Sequence, residues 1–206
     1  MKKRLAVSVV PILLFGLSAM AQVAPAQFSA DLLMHSQRGD MTGKMFFAGK
    51  KMRTDMETPG GAMRNITDVE KKQVVMVMPE RKMYMVVDLS HPSPMARGQR
   101  TPEIQQFDPA NPCSNRPGMT CKKVGSETVN GRDCDKWEFS KNGQVTETEW
   151  IDKKLHIAVK SQHEDGSTWE LKNIKEGPQP DSLFEIPAGY QKLDMGGMMG
   201  GIERPH

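Results

Sequence analysis

Methionine is the residue type in this chain with the clearest chemical options. There are 17 methionines in 206 residues, whereas aromatic residues make up only 6%. A thioether can bind a soft metal such as Cu(I), or it can act as a flexible apolar contact that adapts to varied partners. The tightest group is Met195, Met198 and Met199, and the only histidine near it is His206. The sequence therefore favours an apolar interior or ligand wall, and copper binding is the third hypothesis.

Acid, base and metal-binding groups are present, but they do not form a recognisable catalytic pattern. A hairpin predicted around Asp152-Lys153 puts His156 opposite Glu149, which could be half of an acid/base or metal site. No nucleophile or third ligand occurs at a fixed spacing from this pair. The chain also lacks a Gly-rich phosphate loop, Gly-x-Ser-x-Gly and His-Glu-x-x-His. We therefore predict no catalytic residue, no cofactor and no metal ligand.

Residues 1–21 have the features of a secretion signal. Met1-Lys2-Lys3-Arg4 is basic, residues 5–17 are mostly apolar, and Ala19-Met20-Ala21 suits signal peptidase. The apolar run is shorter than the roughly 20 residues of a membrane-spanning helix, which argues against an uncleaved anchor. We predict cleavage after Ala21 and a periplasmic or secreted product without a membrane span.

The charge of the mature chain gives no support to nucleic-acid binding. The whole chain has 28 basic and 25 acidic residues, but three of the basic residues lie in the predicted signal. The remainder is formally neutral, so the usual electrostatic footprint of a nucleic-acid partner is missing. The 185 residues after the cleavage site predict one domain, expected to be a monomer.

Three cysteines in an exported chain usually give one disulfide and one unpaired thiol. A hairpin around Asn130-Gly131 separates Cys121 from Cys134 by roughly 20 Å along the strand, so these two should not pair. Cys113 can reach Cys121, and this is the predicted disulfide. A bond from Cys113 to Cys134 is the second choice. No Cys-x-x-Cys is present, so a redox function is not expected.

The stretch Lys72–Asp88 predicts a hairpin about Pro79-Glu80-Arg81-Lys82. Six side chains then share one face, with Met78 opposite Met83, Met76 opposite Met85 and Val74 opposite Val87. The other face carries Val75 and Val77 against Val86 and Tyr84. Because this ribbon is apolar on both sides, we expect it at the centre of a sheet, with one face packed and the other covered by something other than bulk water.

The other strands predict an antiparallel meander, typical of a barrel, half-barrel or sandwich. Their predicted ranges are Phe28–Met34, Met41–Phe47, Lys51–Glu57, Ala62–Asp68, Gln144–Ile151, Lys154–Ser161 and Thr168–Lys175, with a further hairpin around Asn130-Gly131. That hairpin should set Val124 against Trp137, and the next one should set Trp150 against Leu155. The apolar residues of a final segment, Leu183, Phe184, Ile186 and Tyr190, should return to the sheet.

Three segments lack a strand pattern. Ser90–Met119 contains six prolines and predicts an irregular loop with one short helix from Thr101 to Phe107. A loop of this length is a lid, a binding loop or a surface excursion. Residues 22–27 and the Gly/Met-rich tail 195–206 are predicted to be disordered, which leaves 28–194 as the folded domain.

Six stretches, taken in order, are similar to a family of exported bacterial proteins related to the outer-membrane lipoprotein carriers (LolA/LolB-like). They are FSADLLM, GKMFFAGKKMRTDM, VVMVMPERKMYM, KVGSETVNGRDCDKWEF, EWIDKKLHIAVK and SLFEIPAGYQKLDM. The resemblance covers about residues 28–195 and implies a mainly β fold, a single curved antiparallel sheet forming an incomplete, half-open β-barrel. In the carriers, helices and a loop close the concave apolar face, and the cavity receives acyl chains. This chain has almost nothing between the predicted cleavage site and its first strand, so the carriers' N-terminal lid helix is expected to be missing or minimal.

These observations predict a non-enzymatic protein that binds a hydrophobic ligand, either a lipid or an acylated protein. The predicted wall consists of Met45, Phe47, Met52, Val74, Met76, Met78, Met83, Met85 and Val87, with Ser90–Met119 as a possible cover. The alternative is a structural or sensing module of the cell envelope with the same fold and a filled core. Which face of the sheet is concave stays open, because the central hairpin is apolar on both.

Overall fold

The structure, a computed structural model, describes residues 26–37, 39–58, 60–90, 108, 111–114 and 116–193. The predicted signal at 1–21, the short helix at 101–107 and the tail at 195–206 lie outside these residues. Twelve strands are present in the described part. They are β1 (Gln27–Ser36), β2 (Gly39–Ala48), β3 (Lys51–Thr58), β4 (Gly61–Asp68), β5 (Gln73–Met78), β6 (Met83–Asp88), β7 (Thr120–Val129), β8 (Arg132–Lys141), β9 (Gln144–Asp152), β10 (Ala158–His163), β11 (Thr168–Glu176) and β12 (Gln191–Lys192).

All twelve strands belong to one sheet, in the order β12-β6-β5-β4-β3-β2-β1-β11-β10-β9-β8-β7. Strands β1 to β6 form one antiparallel run, and β7 to β11 form another. The two runs join where β1 pairs antiparallel with β11. The short β12 pairs parallel with β6. This arrangement confirms the predicted fold class, a mainly β chain whose single sheet is not closed into a barrel.

The position predicted for the methionine-rich hairpin is wrong. The hairpin is β5–β6, with the 3₁₀ turn Pro79–Arg81 between the strands. It lies near one end of the sheet, where only the two-residue β12 follows β6. The middle two of the twelve strands are β2 and β1. The hairpin needs no second layer of sheet, because a C-terminal segment covers its second apolar face.

The register of this hairpin is as predicted, with Met78 opposite Met83, Met76 opposite Met85 and Val74 opposite Val87. In the β7–β8 hairpin, the register next to the turn follows from the Asn130-Gly131 turn and puts Glu127 opposite Cys134. A bulge between Lys123 and Gly125 then puts Lys123, not Val124, opposite Trp137. The bulge shifts the rest of β7 by one residue, and the sequence carries no clear signal for it.

The β9–β10 hairpin is present, but its predicted turn and register are wrong, because the turn is longer than two residues and Trp150 pairs with Lys160 rather than Leu155. Asp152 accepts hydrogen bonds from the backbone N–H groups of Lys154 and Leu155, at 2.8 and 2.6 Å, and it donates its own N–H to the carbonyl of Ile157. His156 adopts a left-handed conformation, with φ of 55°. Strand β10 therefore starts at Ala158, which places Ser161 rather than His156 opposite Glu149.

The described residues pack around two apolar cores. The main core runs along β1–β3 and β8–β11 and includes Phe28, Phe47, Phe139 and Leu171, each at most 1% exposed. The smaller core consists of Ile66, Val75 and Val77, against which Tyr84, Phe184 and Tyr190 pack. The predicted return of Phe184 and Tyr190 to the sheet is thus confirmed, and the structure shows that they cover the second face of the hairpin.

Candidate functional site

One face of strands β3–β6 presents eight apolar side chains that neither core absorbs. Alternation along the strands and the pairing between them put these residues on the same face. They are Met56, Met63, Val74, Met76, Met78, Met83, Met85 and Val87, here called the methionine face. All eight are half-buried. Among the described residues, none of them belongs to the main core or the smaller core, or packs against either.

The predicted wall divides into two parts. Val74, Met76, Met78, Met83, Met85 and Val87 lie in the methionine face. Met45, Phe47 and Met52 are at most 7% exposed and belong to the main core, where the Phe47 ring stacks on Phe28 with 5.3 Å between centroids. The pairing of Met45 with Thr54, Thr54 with Asn65 and Asn65 with Met76 shows that both parts occupy the same face of the sheet. The core residues therefore form the inner continuation of the methionine face.

Asn65 lies where the methionine face meets the main core. It is 7% exposed, and its side-chain Oδ1 is buried without a hydrogen-bond partner among the described residues. Its cross-strand neighbours are Thr54 on one side and Met76 on the other. A buried polar atom without a partner costs about 1–3 kcal/mol, so it is a site where a ligand's donor would be favoured. An asparagine at an apolar position of β4 was the only signal in the sequence, and our prediction missed it.

The same face of the sheet carries a buried ion cluster at its other end. The cross-strand pairs run from Leu32 to Leu171, from Trp169 to Ser161, and from Ser161 to Glu149. Here the disulfide predicted between Cys113 and Cys121 is present. This confirmed bond closes a nine-residue loop, here called the disulfide loop, whose Cys113, Met119 and Cys121 pack against the main core. The loop covers this end of the face, whereas the described residues leave the methionine end partly open.

Arg116 fastens the disulfide loop to the sheet. Its Nη1 donates to Glu147 Oε2 at 2.8 Å and its Nη2 to Glu149 Oε1 at 2.6 Å. The guanidinium also sits over the ring of Phe139, 4.1 Å from the centroid. Ser161 Oγ donates to Glu147 Oε1 at 2.7 Å. The sequence did not predict this cluster, because no local pattern joins residues that are 33 positions apart.

Burial and the neighbouring charged groups of the cluster determine whether Glu149 is protonated. Burial raises the pKa of Glu149 to about 8; the nearby Glu147 acts in the same direction, and Arg116 opposes them. Glu149 is only 2% exposed, and its Oε2 has no hydrogen-bond partner among the described residues. Burial alone would lower the pKa of Arg116, but Glu149 and Glu147 raise it above its ordinary value. Arg116 is therefore always charged, and near neutral pH Glu149 holds a proton.

The remaining candidate groups do not assemble into a catalytic or metal site in the described chain. His156 lies in the β9–β10 turn, separated from Glu149, so the proposed pairing of these two residues is wrong. Cys134, the unpaired cysteine, is fully buried, and burial raises its pKa to about 11, which suppresses the thiolate. No group of three His, Cys, Asp or Glu side chains in the described residues could hold a metal ion.

Two surface pockets in the described residues lie away from the methionine face. One, of about 90 Å³, is lined mainly by Asp135, Trp137, Asp152 and His156. The other, of about 400 Å³, lies around Arg132 and Asn173. The methionine face is thus an open surface rather than one of these pockets. The described part of the chain also contains no helix whose length and apolar character would let it span a membrane.

Solved structures show that this fold recurs in bacterial proteins. An uncharacterised conserved protein from Thermus thermophilus has 10% identity and a TM-score of 0.55, over 83% of this chain and 91% of that chain. MucB, in the MucA/MucB complex of Pseudomonas aeruginosa, has 14% identity and a TM-score of 0.51, over 82% of this chain and 59% of that chain. This chain thus spans about three-fifths of that protein. At these identities the likeness shows the fold alone.

A LolA superfamily protein from Nitrosomonas europaea is also among the similar structures, as the sequence resemblance predicted. It has 9% identity and a TM-score of 0.36, over 79% of this chain and 90% of that chain, which is too distant to carry an argument. No curated protein matches the chain. The model of a family described as a domain of unknown function, DUF4412, matches residues 29–160. The chain therefore belongs to the DUF4412 family.

Proposed function

We propose that this protein is a non-enzymatic periplasmic binding protein whose methionine face holds a hydrophobic ligand, either a lipid or the acyl chain of a lipoprotein. The observation that carries this proposal is the packing of the hairpin β5–β6. One of its faces is filled by Phe184 and Tyr190, whereas the methionines on the other face stay half-buried and outside both cores. Apolar side chains that continue a core without joining it mark a ligand or partner surface.

The composition of the methionine face suits a ligand of variable shape. Six of its eight residues are methionines, whose unbranched, flexible side chains can repack against chains of different length or saturation. Burying about 200 Å² of apolar surface on each side would contribute about 10 kcal/mol at about 25 cal/mol per Å². Ordering of the ligand and loss of its translational freedom reduce this gain, so micromolar affinity is a reasonable expectation.

The unpartnered oxygen of Asn65 adds a requirement for the ligand. It lies beside Met76 at the inner edge of the methionine face and can accept a hydrogen bond there. A ligand with a hydroxyl or amide N–H group next to its hydrocarbon chain would satisfy it, whereas a pure hydrocarbon would leave it unpaired. An amphiphile with such a donor should therefore bind more tightly than a fatty acid of the same chain length, whose ionised carboxylate can only accept.

The proposal places the protein outside the cytoplasm. Residues 1–21 would be removed as a secretion signal and 28–194 would form the single folded domain, as the sequence predicts. An oxidising compartment agrees with the disulfide between Cys113 and Cys121.

The second candidate function is a sensing or structural module that binds another protein. The similarity in fold to MucB, which was solved in complex with MucA, favours this candidate. In this candidate the core is filled and the protein partner binds to another surface of the fold. Only the first candidate requires a small lipid-like ligand, so the two candidates differ in whether such a ligand is bound to the purified protein.

Lipid binding can be tested by native mass spectrometry of protein purified from membranes and by uptake of a fluorescent fatty acid. We expect co-purified lipid and saturable uptake, both lost when Met76 and Met85 are changed to glutamine. The matched control changes Met34 and Met41, a methionine pair elsewhere in the sheet, to glutamine. A clean apo mass together with no fatty-acid uptake by the folded wild-type protein would contradict the proposal and leave the protein-binding module.

A further inference from the structure

Four methionines of the methionine face form one continuous row across four neighbouring strands. Met56 on β3 pairs with Met63 on β4, and Met78 on β5 pairs with Met83 on β6. The β4–β5 register, extended by one residue beyond Arg64 opposite Val77, brings Met63 opposite Met78. On the other side of Met56 the row ends at Gly43, which contributes no side chain. Met76 and Met85 form a second, shorter row beside it.

The spacing of the row lets its sulfur atoms meet. Neighbouring strands lie about 4.8 Å apart, and the Cβ atoms of directly opposite residues are about 4.5–5.5 Å apart. Each methionine side chain has three rotatable bonds, so three sulfurs on adjacent strands can turn towards a common point. Since the row belongs to neither core in the described residues, this movement would not disturb core packing.

The ligands that such a row offers select one kind of metal. Thioethers are soft and uncharged, and among biological metals they suit Cu(I), whereas Zn²⁺, Mg²⁺ and Ca²⁺ need imidazole, thiolate or carboxylate. An exposed carboxylate, that of Glu80, lies in the turn between β5 and β6. Glu80, two residues after Met78, accepts a hydrogen bond from the N–H of Ala62, the residue before Met63, at 3.3 Å.

We propose that the row Met56, Met63, Met78 and Met83 is a binding site for Cu(I), in which at least three thioethers from adjacent strands ligate the ion. This site is separate from the tail methionines Met195, Met198 and Met199, which the sequence alone put forward as the closest cluster. The inference goes beyond hydrophobic-ligand binding, although it uses part of the same surface. Its chemistry depends on sulfur, whereas lipid binding depends on apolar area.

Replacing methionine with leucine, which has a similar shape, separates the contribution of sulfur from that of apolar area. Leucine has nearly the volume and apolar character of methionine but has no sulfur, and such volume-conserving exchanges are among the best tolerated. The variant Met63→Leu, Met78→Leu, Met83→Leu should therefore fold, and its far-UV circular dichroism and urea unfolding check this. Under our proposal, it should lose Cu(I) binding.

The experiment is an anaerobic titration of the full-length mature protein with Cu(I), kept reduced with ascorbate, in competition with bicinchoninate. X-ray absorption on the loaded protein should show sulfur neighbours, and selectively labelled methionine methyl groups of the row should shift in NMR spectra. Two controls should bind like the wild type: Met34→Leu with Met41→Leu, and Met195→Leu with Met198→Leu and Met199→Leu. Cys134→Ala should also bind normally, because Cys134 is fully buried.

Three results would overturn the proposal. The first is absence of competition by the wild-type protein, and the second is unchanged Cu(I) binding by the triple leucine variant of the row. The third is loss of binding in the tail or Cys134 variant alone. If the row variant stays folded and loses Cu(I) binding, the metal site stands. If the wild type binds Cu(I) but takes up no fatty acid, only the proposed function fails.

Discussion

Arg116 and Glu149 meet at 2.6 Å between Nη2 and Oε1, although 33 positions separate them in the sequence. Arg116 comes from the disulfide loop and Glu149 from the inner face of β9, where it is 2% exposed. One arginine thereby serves two carboxyl groups, since Glu147 binds its other Nη atom. The contact fixes the loop over one end of the face that carries the methionine row at the other end.

Removal of this arginine should be costly. Arg116→Met keeps the apolar stem but leaves the carboxylate of Glu147 without its cation and Glu149 without its hydrogen-bond donor, and breaking such a buried pair usually costs about 3 kcal/mol or more. We expect the free energy of unfolding in urea to fall by about that amount. Arg81→Met, at an exposed position in the β5–β6 turn, is the control and should change stability little. Equal stability of the two variants would show that the ion cluster does not hold the loop.

The raised pKa of Glu149 predicts how stability depends on pH. The unfolded chain releases this proton near the ordinary value of 4.5, whereas the folded protein retains it up to about 8. Between these values the folded state binds more protons, so the free energy of unfolding should fall as pH rises, by at most about 1.4 kcal/mol per pH unit. Below and above this window the group contributes no slope.

Urea unfolding of Glu149→Gln between pH 5 and pH 8 checks this dependence. The variant cannot titrate at this position, so its stability should fall less with pH than that of the wild type. Glu164→Gln, at an exposed turn, should keep the wild-type profile. A wild-type stability that rises with pH across this range would mean that Glu149 is ionised in the folded protein.

The disulfide should stabilise the loop together with Arg116. Closure of nine residues corresponds to about 2.5 kcal/mol in the chain-entropy description, so Cys113→Ala with Cys121→Ala should lose about that amount. Both changes act on one loop, and their effects should not add: once the loop is free, Arg116→Met should cost less than it does in the disulfide-bonded protein. A double-mutant cycle in urea measures this coupling, and strict additivity would argue that the two constraints are independent.

Local pattern predicted the strands and the tight hairpins, but not what joins distant parts of the chain. Alternating Met and Val residues fixed the register from Val74 to Val87, and simple reach along the chain identified the pairing of Cys113 with Cys121. The β9–β10 turn was missed because Asp152 organises it through hydrogen bonds that a two-residue hairpin rule ignores. The position of the methionine hairpin near the end of the sheet was not predicted. Apolar side chains on both faces indicate that both faces are covered, but they do not say whether a sheet layer or a returning C-terminal segment covers the second face.

The predicted ligand wall has one part buried in the main core and one part half-buried on the methionine face. Alanine substitution should lower the free energy of unfolding more in the first part than in the second. Met45 is fully buried in the main core, so Met45→Ala should cost about 2–5 kcal/mol. Met85 is half-buried on the methionine face outside both cores, so Met85→Ala should cost less than about 1 kcal/mol. Urea unfolding of both variants measures the contrast. A loss at Met85 as large as that at Met45 would mean that the methionine face is packed from within the protein, and a face packed in that way has no room for either a lipid chain or a metal ion.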